Sequence, residues 1–192
     1  MLKFQEQAGQ IVFTFGRFNP PTTGHEKLLN KVKQIAGTGR YVIYPSQSQN
    51  QKKDPLPFAL KVAYMRKMFP KYARNIIANR NLKTALDIAV KLHDEGFNNL
   101  MMVVGSDRVN EFSSLLKSYN CVEGKRHGFY DFDTIEVVSA GDRDPDAEGV
   151  SGMSASKMRN AAAINDFESF QKGLPSGFRD GKKLYLDVRK NM

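Results

Sequence analysis

Along this chain, apolar runs that suit strands alternate with apolar spacings that suit helices. Residues 10–15 predict a buried strand. Leu28, Leu29, Val32, Ile35 and Ala36 then recur at helical spacing until Gly37 and Gly39 end the helix. Residues 41–44 predict a second strand, closed by Pro45, and residues 57–69 a second helix, closed by Pro70. Between them, the polar run 46–54 makes a loop long enough to be functional. Residues 75–78 predict a short strand, and 82–93 a helix with Leu82, Ala85, Leu86, Ala89, Val90 and His93 on one face. The clearest strand is 100–104, which ends at Gly105; 109–119 predicts a helix, 134–138 a strand, and Ser156 onward a helix. Residues 118–132 show no period and read as an insertion or a mobile loop, and 176–192 carry no motif. Repeated strand–helix units predict an α/β, Rossmann-like doubly wound parallel sheet with helices on both faces. Ligands of such sheets bind at the carboxyl ends of the strands.

Composition narrows the class further. With 192 residues, 41% of them hydrophobic, and no internal repeat or low-complexity linker, the chain is expected to form a single domain over 1–192. A formal net charge of +9 points to an anionic partner: nucleotide phosphates, nucleic acid or an acidic protein surface. An ordinary basic surface also fits. Cys121 is the only cysteine and cannot form an internal disulfide. The first six residues lack the apolar run of a signal peptide, so a reducing, cytoplasmic setting is expected. No apolar stretch approaches the roughly 18 residues of a membrane span, so the protein is expected to be soluble.

The richest stretch is Phe13-Thr14-Phe15-Gly16-Arg17-Phe18-Asn19-Pro20-Pro21-Thr22-Thr23-Gly24-His25, a strand that turns directly into a helix. Backbone N–H groups at a helix start, with the positive end of its dipole behind them, form a phosphate cradle. Gly16 lets the backbone turn tightly, and Pro20 and Pro21 stiffen the turn. Thr23 and Glu26 fit a capping box, which places His25 in the first helical turn. The segment holds no carboxylate, serine–histidine pair or cysteine to act as base or nucleophile. A phosphate nucleophile needs none, because it is already ionised near neutral pH. The protein then has to align two anions and stabilise charge on the transferred phosphoryl group, work that suits His25, Arg17 and backbone N–H groups. A well-capped helix with a surface His25 also fits these residues.

Gly149-Val150-Ser151-Gly152-Met153-Ser154-Ala155-Ser156-Lys157-Met158-Arg159 repeats the device nearer the C-terminus. Ser156 and Arg159 are three apart on one helix face and can converge on one anion, while Lys157 points elsewhere. A serine N-cap with a solvated Arg159 fits the same pattern.

The first segment resembles the signature of the nucleotidylyltransferase superfamily, whose members carry [H/T]-x-G-H after the first strand of a Rossmann-like sheet. Here it reads Thr22-Thr23-Gly24-His25. The second resembles that superfamily's Ile-Ser-Ser-Thr-x-x-Arg motif at Met153, Ser154, Ser156 and Arg159, with Ala155 where a serine is common. The resemblance implies that Thr22 and His25 contact a triphosphate, and that Ser154, Ser156 and Arg159 hold its outer phosphates. It also implies that Phe15, Gly16, Arg17, Phe18 and Gly24 touch nucleotide, the first three through backbone. Thr22, His25 and Arg159 are the expected catalytic set.

Three supporting segments are less specific. Gly105-Ser106-Asp107 ends a strand where ribose hydroxyls can be bound, as in related adenylyltransferases, although Asp107 also fits a plain N-cap. Lys52 and Lys53 lie in the loop after the second strand, where some family members place a lysine near phosphates; a solvated basic loop also fits, Lys52 more than Lys53. Arg66 and Lys67 are less specific basic positions, and Arg143 is a candidate acceptor contact in an acidic loop.

Three scattered histidines and one cysteine argue against a zinc site. A magnesium ion carried in with the triphosphate is the expected metal, held mainly by phosphate oxygens and water. The chain most resembles nicotinamide-nucleotide adenylyltransferases and cytidylyltransferase-like proteins. The resemblance implies transfer of AMP from ATP to a phosphorylated small-molecule acceptor such as nicotinamide mononucleotide, with release of pyrophosphate. Cytidylyltransfer to a phosphorylated alcohol and adenylyltransfer to phosphopantetheine are the enzymatic alternatives. A non-catalytic module binding nucleotides or nucleic acid is the alternative of another class. A homo-oligomer is common among relatives.

Overall fold

The structure, a computed structural model, describes residues 9–141 and 153–192. These fall into two compact units, one of residues 9–15, 31–42 and 79–141, the other of 16–30, 43–78 and 153–192. The division crosses strand β1 (Gln10–Gly16) after Phe15, helix α1 (Thr23–Ala36) after Asn30, and strand β2 (Arg40–Pro45) after Val42.

The first unit is built on a parallel sheet in the order β2-β1-β3-β4, with β3 at Asn99–Val104 and β4 at Thr134–Ser139. Gln10 to Phe13 pair in register with Asn99 to Met102, and β3 pairs residue for residue with β4. Ile11, Val12 and Phe13 are all buried, as are Met102, Val103 and Val104. Neighbouring strand residues point to opposite faces, so both faces of these strands are covered, as expected of the centre of a parallel α/β sheet.

Helix α3 spans Ala85–Asp94 and starts three residues later than the apolar spacing suggests. The Thr84 side chain accepts from the Asp87 N–H while Asp87 accepts from the Thr84 N–H, a capping box that fixes the start and leaves Leu82 and Lys83 outside. Helix α4 (Val109–Ser118) packs on α3 and β4.

Apart from Ser118, which ends α4, residues 118–132 have no regular structure, yet they are tied down rather than loose. Asn120 exchanges two side-chain hydrogen bonds with the backbone of Phe132, at 3.0 and 2.9 Å, and the Cys121 N–H donates to the Tyr130 carbonyl at 2.9 Å. Tyr130 is fully buried and donates to the Leu116 carbonyl at 2.6 Å. Its hydroxyl pKa is pushed up to about 12 by burial. Aromatic anchors that follow no period are invisible to a periodicity reading.

In the second unit, α2 (Phe58–Met68) leads into a 3-10 turn at Pro70–Tyr72, and α5 (Ala155–Ala163), α6 (Phe167–Gln171) and α7 (Gly181–Lys190) pack together. The strand expected at 75–78 reduces to a single parallel bridge between Ile43 and Ile76. Ile43 donates to the Asn75 carbonyl at 2.8 Å and accepts from the Ile77 N–H at 2.9 Å, but the Asn75 N–H is taken by the Tyr72 carbonyl at 2.9 Å, so the ladder does not extend toward the start of this segment. Residues 176–192 supply α7, whose Leu184, Tyr185 and Val188 are buried. The Tyr64 hydroxyl donates to the Asp187 carboxylate at 2.5 Å, and Lys67 pairs with Asp180 at 2.5 Å, which binds α7 to α2. Burial and the Asp187 carboxylate push the Tyr64 hydroxyl pKa well above the ordinary range.

Candidate functional site

The turn after β1 is held by its own side chains. Phe18 is buried with a left-handed φ of 48°, and a Cβ on Gly16 would stand 3.1 Å from the Phe18 ring, so a side chain there would crowd the turn. Asn19 is buried and exchanges two hydrogen bonds with the backbone of Leu56, each 3.0 Å, before a cis peptide to Pro20.

The helix begins one residue earlier than the capping box expected at Thr23 and Glu26. The N–H groups of His25 and Glu26 both donate to the Thr22 carbonyl, at 3.0 and 3.3 Å, so Thr22 is the N-cap. Thr23 instead donates its N–H to the Gly173 carbonyl at 3.0 Å, and Glu26 pairs with Lys71 at 3.3 Å.

The capping box is therefore made by the motif itself. The Thr22 hydroxyl accepts from the His25 N–H at 3.3 Å, and His25 Nδ1 accepts from the Thr22 N–H at 3.0 Å. The histidine stands where a glutamate or glutamine closes the usual box. A ring nitrogen that accepts carries no proton, which assigns the neutral ring's proton to Nε2. The Phe18 ring, 4.9 Å from the imidazole centroid, supports it from the side. A Cβ on Gly24 would meet only ordinary contacts, 3.4 Å from Thr22 Oγ1 and 3.8 Å from the Met153 carbonyl. Protein packing therefore does not demand glycine at that position.

The second motif meets the first within the same unit. Ser154 caps α5, its hydroxyl accepting from the Lys157 N–H at 3.1 Å. Arg159 donates from Nη2 to Ser156 Oγ at 3.0 Å and from Nη1 to the Asn19 carbonyl at 2.7 Å. The arginine thus joins the serine-capped helix to the turn that leads into Thr22 and His25. Burial lowers the Arg159 pKa; Asp54 acts against that shift and Arg17 with it.

Two residues of this neighbourhood were not singled out by sequence reasoning. Lys61 of α2 is fully buried and donates to the Ser46 carbonyl at 2.5 Å, while the Ser46 N–H donates to the Gly16 carbonyl at 2.7 Å. Asp54, also buried, acts electrostatically on Lys61 as well as on Arg159. The signal for Lys61 was its spacing, in line with the apolar Tyr64, Met65 and Met68; Asp54, next to the exposed Lys52 and Lys53, gave none.

Desolvation lowers the Lys61 pKa from 10.5 to about 8, with Asp54 opposing and Arg17 adding to the shift. Between those values the unfolded chain holds the proton that the folded chain has lost, so stability rises with pH across that window. The rise is at most roughly 3 kcal/mol. Urea unfolding of wild type against Lys61→Met should show the difference moving in favour of wild type from pH 8 to pH 10. A flat difference would contradict the shift.

The remaining predicted residues are placed as follows. Arg17 and Lys53 are exposed, and the Lys53 N–H donates to Asn50 Oδ1 at 2.8 Å. Phe15, Gly105 and Asp107 belong to the first unit. Asp107 is exposed within a 3-10 turn, Ser106–Arg108, and caps neither that turn nor α4, whose N-cap is Arg108. Arg143 lies outside the described residues. A groove of about 500 Å³ between the start of α1 and residues 171–176 contains none of the predicted binding residues, so the candidate site lies apart from it.

A parallel sheet of this kind with these two motifs defines the nucleotidylyltransferase superfamily as the class. The chain matches the cytidylyltransferase-like family over residues 13–161, most of its length, and belongs to that family. Membership supports a nucleotidyltransferase activity. No curated protein matched the chain. Among the described residues, no helix is long and apolar enough to cross a membrane.

Proposed function

We propose that this chain moves AMP from ATP onto nicotinamide mononucleotide and releases pyrophosphate. The observation that carries the nucleotidyl-transfer reading is the Thr22–His25 box, which holds a ring N–H donor at a helix start beside an arginine-bearing, serine-capped helix. The choice of ATP and nicotinamide mononucleotide rests on the resemblance of Gly16-Arg17-Phe18-Asn19-Pro20 and Gly105-Ser106-Asp107 to that branch.

In this reading an oxygen of the acceptor phosphate attacks the α-phosphorus in line, the bond from that phosphorus to the bridging oxygen breaks, and pyrophosphate leaves with its electron pair. No covalent enzyme intermediate forms. His25 donates from Nε2 to the oxygens of the transferred phosphoryl group as their charge grows. Arg159, Ser154 and Ser156 hold the departing phosphates. Magnesium bound with the triphosphate supplies charge neutralisation on the phosphates.

Membership of the cytidylyltransferase-like family favours a second reading, cytidylyltransfer from CTP, for which we take a phosphorylated alcohol as the acceptor. Incubation with magnesium, ATP or CTP, and each acceptor, phosphopantetheine included, tests both by pyrophosphate release. ATP with nicotinamide mononucleotide is the expected productive pair. Release with CTP alone would install the second reading. No release from any pair, with salt-dependent RNA or DNA binding that nucleotides do not compete, would replace catalysis by a binding role.

A further inference from the structure

We propose that Asp54 makes the phosphate cradle selective for a nucleoside triphosphate complexed with a divalent cation, its carboxylate accepting a hydrogen bond from a water on that cation. This rests on the reading that the site binds a triphosphate.

Asp54 is 4% exposed, and its Oδ1 meets no hydrogen-bond donor among the described residues. A buried acceptor without a donor costs about 1–3 kcal/mol, more when charged. The loop nevertheless holds it there. Asn50 and Asp54 exchange backbone hydrogen bonds of 3.0 and 2.9 Å, and Asn50 Oδ1 accepts from the N–H groups of Lys52 and Lys53. That knot turns both lysines outward and the aspartate inward.

The charges around Asp54 suggest what it meets. Asp54 acts on Lys61 and Arg159, and Arg17 repels both of these cations. Without ligand, the carboxylate is balanced by Lys61 and Arg159. When phosphates draw those cations toward themselves, Asp54 faces the phosphate charge unbalanced. A metal-free triphosphate would then be repelled, whereas a divalent cation arriving on the phosphates replaces the lost countercharge. Magnesium suits this exchange because it keeps several waters and is commonly held by one or two carboxylates together with substrate phosphates. No group of three His, Cys, Asp or Glu that could hold a metal without the nucleotide occurs among the described residues.

The test is calorimetric binding of ATP and of CTP, each with excess magnesium or with a chelator, to wild type and to Asp54→Asn. Wild type should prefer the magnesium complex by about 10-fold or more, and Asp54→Asn should lose that preference while metal-free nucleotide binds as well or better. An unchanged preference in the variant overturns the proposal. So does equal weakening of both forms, which would make Asp54 a positioning residue for Lys61 and Arg159. Should Asp54→Asn melt below the assay temperature, Asp54→Ser is measured in its place and read the same way, and equal affinity of wild type for the two forms overturns the proposal outright. If neither nucleotide binds wild type in either state, the triphosphate reading itself has failed, a result distinct from binding without metal preference.

Discussion

His25→Ala should lower kcat by on the order of 100-fold or more, with little change in triphosphate affinity. Nδ1 is committed to the Thr22 N–H at 3.0 Å, so the ring's proton is on Nε2 and the imidazole acts as a donor. A donor aimed at charge that develops only during transfer contributes mainly in the transition state, and 100-fold corresponds to about 2.7 kcal/mol of barrier. The alanine variant also loses half of the cap, which should cost about 0.5–2 kcal/mol of stability. His25→Gln separates the two effects, because a glutamine at this position can accept from the Thr22 N–H and rebuild the box. Melting temperature should recover in the glutamine variant. A change confined to KM in the alanine variant would contradict the transition-state role.

Asn19→Ala should be the most destabilising single change near the site, at about 2–5 kcal/mol by urea unfolding. Its side chain satisfies both the N–H and the carbonyl of Leu56, and all three groups lie in a buried setting. Alanine strands two buried backbone groups, each costing about 1–3 kcal/mol. The Asn19 carbonyl also receives Arg159, so the turn that carries this load is the one joined to α5. A loss below about 1 kcal/mol would mean that water or a relaxed loop takes over both bonds.

The sheet was legible because its central strands β1 and β3 are buried on both faces: continuous runs such as Ile11-Val12-Phe13 and Met102-Val103-Val104 admit little else. The two motifs were legible as helix starts. The register of the first was not, since Thr22 and Thr23 both offer a hydroxyl and only Thr23 has a glutamate three residues on. Tertiary contacts decide between them, with Gly173 claiming the Thr23 N–H and Lys71 claiming Glu26. Asp54 and Lys61 escaped for a similar reason, because a buried charge is defined by partners far along the chain. Tyr130 shows the same limit in the first unit, where one fully buried ring and its bond to Leu116 anchor a segment without period.

The reciprocal bonds between Thr22 and His25 also decide when the imidazole gives up its rotational freedom. A side chain oriented only on meeting its substrate loses rotamer entropy at the moment of binding, at the expense of affinity. Here that loss is incurred while α1 folds, and a backbone amide sets the tautomer without help from a carboxylate. Phosphates bound as proposed would therefore meet a ring already oriented, with no negative charge needed behind it to hold it in place.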